Sequence, residues 1–420
     1  MTTDTTAATI TPTRPSRLSL RTGRALAAAG FLGVFAASGA PVALFQRYRE
    51  RGLVTTGELS LATVAYFLGA MTALVALGRL SDHLGRKVVI IAAMLLAMAG
   101  TVVLLDVQGF GSLLVGRILA GLACGLAPGA MGSYLVDAAP PGDRLGPAVA
   151  GSGAMVGLTV GSLLTGALAQ YGPSEHAGAI AVGVVLLVAA VLMALCPDTV
   201  PRRPGAWRSL RPRVFVPVQV RPLVPVVAAV AVATWALGGF YQAFGPVLAA
   251  DGLGSHNTLV AAAVFSAFNG PAVIGGPLAT RMPARTAQAV GIGVYLLAVV
   301  GILVSLHAGS VAWFLAVSVV AGVAQSMAFT AGLRRLLGPT AIGDRAGVIS
   351  TVYLIAYSGA AVPGLIAGRL AGVFEISQIL YGFLGLAVIA VAITGVFLRR
   401  TDPAAAPVTQ PVAAEQTSTR

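Results

Sequence analysis

Ten consecutive residues concentrate charge and turn formers in an otherwise apolar neighbourhood: Gly78, Arg79, Leu80, Ser81, Asp82, His83, Leu84, Gly85, Arg86 and Lys87. Their chemistry is electrostatic rather than covalent. Gly78 and Gly85 suit a tight turn and a close approach of helices. Asp82 can accept hydrogen bonds at a helix N-terminus, where the helix dipole favours an anion. Arg86 and Lys87 can pair with an acid on a neighbouring segment, and Asp137 is the candidate. A second charge, Arg117, stands inside the apolar run FGSLLVGRILAGLACG. An arginine so placed either faces a bundle interior or water-filled cavity, or snorkels to the headgroups if it lies near a membrane surface. In the interior it would hold an anion or tune a proton carrier. None of the 14 Asp and Glu falls in the middle of an apolar run. Asp106, close to Arg117 across a short turn and able to pair with it, and Glu58 come nearest, so any proton coupling through Arg117 is expected to use one of these outer carboxylates.

Other chemistries find no support. His83, His176, His256 and His307 lie in loops or at the ends of apolar runs, and Cys124 and Cys196 sit singly within apolar runs. No cluster of His, Cys, Asp or Ser suits a metal, a nucleophile or an enzyme active site, and no cofactor site is expected. A phosphate-binding Gly-rich loop needs a lysine, and Lys87 is the only one. The net charge of +13 invites a nucleic-acid reading, but no basic patch interleaved with aromatics supports it, so no nucleic-acid partner is expected.

The elements that must position these residues follow from composition. The chain is 57% hydrophobic and 10% charged, with a mean hydropathy of +0.88, against roughly 25% charged residues in soluble domains. In lipid every backbone group must be paired internally, which leaves helix bundles or closed barrels. Apolar runs about twice the length of a barrel strand select helices. Twelve spans are predicted, at 25–46, 59–79, 88–107, 112–136, 147–170, 177–196, 223–248, 258–280, 287–306, 311–333, 347–371 and 377–398. Of the 27 Lys and Arg, 22 fall in one alternating set of loops and tails. Only Arg47, Arg49 and Arg51 fall in the other set, and Arg117 and Arg369 lie inside runs. Positive loops stay in the cytoplasm, so both termini are expected there.

The halves repeat. PGDRLG at 141–146 matches IGDRAG at 342–347, and AGLA at 120–123 matches AGVA at 321–324 at the same spacing. SLLTGALA at 162–169 aligns with GLIAGRLA at 364–371, and GRLSDHLGR at 78–86 has a worn copy, GPLATRMPA at 276–284. The predicted architecture is an all-α integral membrane protein, with two six-helix pseudo-repeats around a central cavity. Its parts are a cytoplasmic tail (1–24), an N-terminal bundle (25–196), an Arg-rich cytoplasmic linker (197–222), a C-terminal bundle (223–398) and a disordered cytoplasmic tail (399–420). Gly121, Gly153, Gly157, Gly161 and Gly166 are expected to let helix backbones pack closely. Polar or aromatic residues within spans are cavity candidates: Ser38, Tyr66, Trp235, Tyr241, Gln242, Phe268, Asn269, Gln325, Tyr353 and Tyr357. Bare amides in lipid are costly, so the three amides should face protein or cavity. Such a lining suits an amphipathic, weakly polar cargo.

The segment Gly78–Lys87 resembles the signature loop between the second and third helices of the major facilitator superfamily. The resemblance implies a conformational gate that latches the cytoplasmic side against the eleventh helix, with Gly78, Asp82, Gly85, Arg86, Lys87 and Asp137 as its parts. Thr280 replaces the acid in the C-terminal copy, which implies a weaker second latch. Arg117-Ile118-Leu119-Ala120-Gly121 resembles a fourth-helix signature of proton-coupled drug exporters, with Ala120 in place of the usual Gln. The fifth helix resembles an exporter signature, with Ser162 for a Pro and Thr165 for a Gly. The function these resemblances imply is proton-coupled efflux of a small amphipathic molecule by a monomer, with membrane lipid as its solvent. Uptake of a small nutrient by the same fold is the alternative. The bias to Arg and Ala points to a high-GC bacterial genome and hence to a bacterial inner membrane.

Overall fold

The computed structural model describes residues 17–143, 145–202, 204–205 and 215–399. The predicted tails before residue 17 and after 399, and residues 203 and 206–214 of the predicted linker, lie outside the described residues. Twelve helices are long and apolar enough to cross a membrane. They are α1 (Leu20–Glu50), α2 (Thr56–Leu77), α3 (Arg86–Val103), α4 (Phe110–Asp137), α5 (Ala148–Tyr171), α6 (Ala177–Ala194), α7 (Val218–Gly252), α8 (Thr258–Thr280), α9 (Ala284–His307), α10 (Val311–Leu337), α11 (Arg345–Leu370) and α12 (Ile376–Phe397). Each coincides with a predicted span, and the described residues contain no strand.

Local signals set the helix ends. Ser19 accepts a hydrogen bond from the Thr22 amide to open α1, and Thr55 and Glu58 form a capping box at α2. Asn257 and Ser310 cap α8 and α10 in the same way. Several helices are not uniform. α1 tightens to a 3-10 turn at Ala40–Leu44, which carries Pro41 in its first positions, and α2 and α7 each end in a π turn, Ala73–Leu77 and Leu248–Gly252. α8 breaks at Gly270–Pro271. Such departures follow from proline and from local rearrangement of the hydrogen-bond ladder.

The packing carries the repeat signalled by the sequence. In the first half α1 packs on α5 and α6, α3 on α4 and α6, and α2 on α4. In the second half α7 packs on α11 and α12, α9 on α10 and α12, and α8 on α10. Adding six to each label of the first set gives the second. The joints between halves obey the same operation, since α2 meets α11 and α5 meets α8. With an even number of crossings both termini lie on one face, called here the terminal face; the other is the far face.

Candidate functional site

Arg117 stands on α4 seven residues from its start, about 10 Å below the far face at the helical rise. It is fully buried. Its guanidinium lies over the Tyr66 ring at 4.4 Å and near the Phe45 ring at 5.8 Å. Nη1 donates to the Ser38 carbonyl at 2.9 Å, whereas Nε and Nη2 have no hydrogen-bond partner. α1, α2 and α4 together build this pocket. Gly121 makes the approach possible, because a Cβ there would strike the Tyr66 carbonyl. The expected partnership with Asp106 does not form. Asp106 is exposed just beyond α3 and accepts from Gln108 Nε2 at 2.8 Å. The short α3–α4 connection leaves that carboxylate at the surface, while α4 carries Arg117 inward.

The signature loop lies on the terminal face and is tied to its own half. Asp82 and Arg86 form an ion pair, and Arg86 Nε reaches Asp137 at 3.3 Å. Thr199 donates to Asp137 at 3.0 Å. Lys87 takes a different partner from the acid expected, since its Nζ donates to the carbonyls of Cys196 (2.9 Å) and Ala194 (3.3 Å) at the end of α6. Gly85 has φ of +93° and carries the chain past the Asp198 carboxylate, where a Cβ would collide. Gly78 follows the π turn of α2, its backbone close over the Leu74 carbonyl. Among the described residues no hydrogen bond or ion pair joins this loop to α11.

The far face is where the halves are stitched. Arg49 Nη2 lies 2.5 Å from Asp251, and Glu50 lies 2.9 Å from His256 Nδ1. Gln170 accepts from the Thr258 amide at 3.0 Å, and Ser60 donates to the Gly364 carbonyl at 2.7 Å. Arg47 and Arg51 converge on Glu175, with Arg51 bidentate at 2.7 and 2.8 Å. Hydrogen bonding from Arg51 holds the Glu175 carboxyl below its ordinary pKa. A cleft of about 520 Å³ opens beside these bridges, lined in part by Arg49, Asp251, His307 and Glu375.

A sequence model described as Major Facilitator Superfamily matches residues 26–337. The chain belongs to this superfamily. Solved structures share the fold of this major facilitator protein. A mutant of the nucleoside transporter NupG superposes with a TM-score of 0.68 at 12% identity, covering 90% of this chain and all of that one. The peptide transporter POT in complex with sulfate gives 0.69 at 16% identity, covering 90% of this chain and 93% of its own. No curated protein sequence matches the chain.

Within this major facilitator fold the cavity candidates separate into two groups. Trp235, Tyr353 and Tyr357 form one aromatic cluster with Phe329, their ring centroids 5.0–6.3 Å apart. Phe67 links it to the first half, 6.2 Å from Tyr357 and 5.1 Å from Tyr66. Ser38 and Tyr66 belong with Arg117 at the inner end of that chain. The second group lies inside the C-terminal half. Tyr241 is fully buried, stacks on Phe268 at 4.8 Å and shares a 2.6 Å hydrogen bond with Ser318. Asn269 donates to the Phe265 carbonyl and Gln325 to the Phe268 carbonyl. Gln242 is buried with its Nε2 unpartnered.

The glycines divide likewise. Gly157 and Gly161 seat α5 on the α1 backbone at Leu32 and Ala36, and Gly153 faces the Phe31 ring. Gly166 instead touches the other half, where a Cβ would meet Thr258 O at 2.9 Å. Glu50, Asp251, His256 and Glu175 are functional-site residues that the sequence alone does not single out. The signal that could have found them is the run Arg47, Arg49, Glu50, Arg51 in an otherwise charge-poor far face, which calls for acids and a histidine opposite.

Proposed function

We propose that this protein is a secondary active transporter that moves a small amphipathic molecule across a bacterial inner membrane by alternating access, in the direction of export and coupled to protons. The observation that carries the transport reading is the pseudo-symmetric pair of joints, α2 on α11 and α5 on α8. Two halves joined by two related seams can rock about them and expose a shared cavity to either side. The distribution of Lys and Arg supports cytoplasmic termini. On that assignment the stitched far face is periplasmic, and the described state is the one that loads cargo from inside.

In this scheme the signature loop is the gate. Its partners within the N-terminal half keep it formed while the terminal face is unlatched, and it engages α11 when the halves rock. Trp235, Tyr353, Tyr357 and Tyr66 line the cargo path, and Arg117 supplies its fixed charge. Tyr241, Phe268, Asn269, Gln242 and Gln325 support the wall from behind. Gly153, Gly157 and Gly161 are the close contact on which α5 bears against α1, and the resemblance of this helix to an exporter signature is the basis for preferring export. The protein works as a monomer, with residues 25–196 and 223–398 as its two bundles.

Everted and right-side-out membrane vesicles test direction. With a panel of amphipathic compounds and an imposed pH gradient, export requires accumulation in everted vesicles, abolished by a protonophore. Accumulation only in right-side-out vesicles replaces this reading with uptake of a small metabolite.

A further inference from the structure

We propose that the cargo is an amphipathic monoanion, an organic carboxylate whose acid group docks on Arg117. The proposal rests on the transporter reading above and specifies its substrate class. A guanidinium keeps its charge in any protein environment. Here it is fully buried and makes one hydrogen bond, to a neutral carbonyl. Every ion pair in the described residues lies at one of the two faces, and none includes Arg117. The Tyr66 and Phe45 rings soften the charge without neutralising it. An isolated buried cation is among the most destabilising features a fold can carry, so a compensating anion from outside the chain is the economical account of it.

The orientation of the group narrows the anion further. The two unpartnered donors are Nε and Nη2. They occupy one edge of the guanidinium plane, with their N–H bonds nearly parallel. That edge is the one a carboxylate grips side-on through both oxygens. The remaining nitrogen, Nη1, is held by Ser38 and fixes the plane. A purely structural strut between α1 and α4 would need only that single bond.

The surroundings describe the rest of the molecule. Tyr66, on which the guanidinium lies, leads through Phe67 and Tyr357 to Trp235 and Tyr353, both only partly buried. Arg117, Tyr66 and Phe67 are packed closed in the described conformation, so the cargo's acid end reaches Arg117 as these rings part, with its aromatic or aliphatic body along the chain of rings. A multiply charged or strongly hydrated ion would find no second cation and few polar groups there.

The test uses the purified full-length protein in nanodiscs, with thermal unfolding followed against concentration of four probes. They are 1-naphthoate, its neutral amide, 1-naphthylmethylammonium and sodium sulfate. The carboxylate is expected to raise the unfolding temperature of the wild type, with the amide, the amine and sulfate at least tenfold weaker. Arg117→Gln should abolish the response, and without ligand it should unfold at a higher temperature than the wild type, because an uncompensated charge has been removed. Arg117→Lys keeps the charge but loses the two-donor edge, so its apparent affinity should fall tenfold or more. It also provides a reading if the Gln variant fails to fold. Equal stabilisation by the amide, the amine or sulfate overturns the proposal. So does a response to naphthoate retained by the Gln variant, or no response of the wild type to naphthoate. Vesicle transport of a neutral or cationic compound, independent of Arg117, would sink the substrate class while leaving the transporter reading intact.

Discussion

Glu175 and the two arginines that converge on it show how much a single contact at the far face contributes. Arg51 bonds both carboxylate oxygens and keeps the Glu175 pKa below its ordinary value. A carboxyl whose folded pKa is depressed adds stability that is complete above its unfolded value, near pH 4–5. That stability drains away as pH falls through the lower folded value. Glu175→Gln should therefore cost about 0–1 kcal/mol at neutral pH, as for partly exposed ion pairs. It should also flatten the fall in unfolding temperature between roughly pH 5 and 3, which a pH series of thermal melts would reveal. Asp106 gives the opposite case. It is exposed and bonded to Gln108, away from Arg117, so Asp106→Asn should leave cargo-driven pH change in proteoliposomes at the wild-type level. Arg117 was legible in the sequence because a charge interrupts an apolar run. Its neighbours Ser38 and Tyr66 were legible only as polar types within spans. Glu50, Asp251 and His256 were not, because each sits at a helix end, where charged residues are ordinary. Their pairing depends on contacts some 200 positions apart.

Among the elements, α5 is the one whose sequence most directly states its packing. Small residues at helical spacing let its backbone press on α1, and a Cβ at Gly161 would enter the Ala36 carbonyl. Gly161→Leu should separate the two helices and destabilise the protein by roughly 1–3 kcal/mol, as overpacking does. The change should be visible as an earlier melt in detergent. Gly183→Ala on α6 is the control, since its nearest neighbour is an ordinary contact at 3.9 Å, and it should melt with the wild type. The span boundaries were readable to within a few residues because length and apolarity alone fix them. Their irregularities were less so. α1 extends to Glu50 through a 3-10 turn and a polar final turn, and hydropathy stops counting where charged residues begin. In the sequence Gly166 is one more small residue in its row, although it faces α8 across the seam. Helical periodicity gives a residue's side of the helix, not which neighbour stands there.

For the molecule as a whole, the proposed rocking between two conformations would be balanced by contacts such as Arg49–Asp251 and Glu50–His256, which join the halves at the far face and would be lost on its opening. Exposed pairs of this kind are worth about 0–1 kcal/mol each and are screened by salt. The double variant Glu50→Gln with Asp251→Asn should raise the far-open population by a factor of about 2–10, measured as faster labelling of a cysteine placed at Trp235 by an impermeant reagent supplied only at the far face. A disulfide made from Ser60→Cys and Gly368→Cys tests the same seam. The Ser60 Cβ would lie 2.7 Å from a Cβ built at Gly368, closer than the roughly 3.5–4.5 Å of a disulfide, so α2 and α11 must part by about 1 Å to admit the bond. Oxidation should stop transport, and reduction should restore it. The repeat was visible in the sequence at four short segments, and those were enough to predict two like halves. How the halves meet was not visible, since the seams are made of glycine, serine and backbone carbonyls that carry no pattern of their own.

Lys87 holds the end of α6 through two carbonyls and is the only lysine in the chain. A reagent selective for ε-amines therefore has a single internal target, on the loop taken here as the gate. Fluorophore attachment there needs no engineered cysteine, and the speed of acylation becomes a native clock for how often that loop lets go of its neighbour.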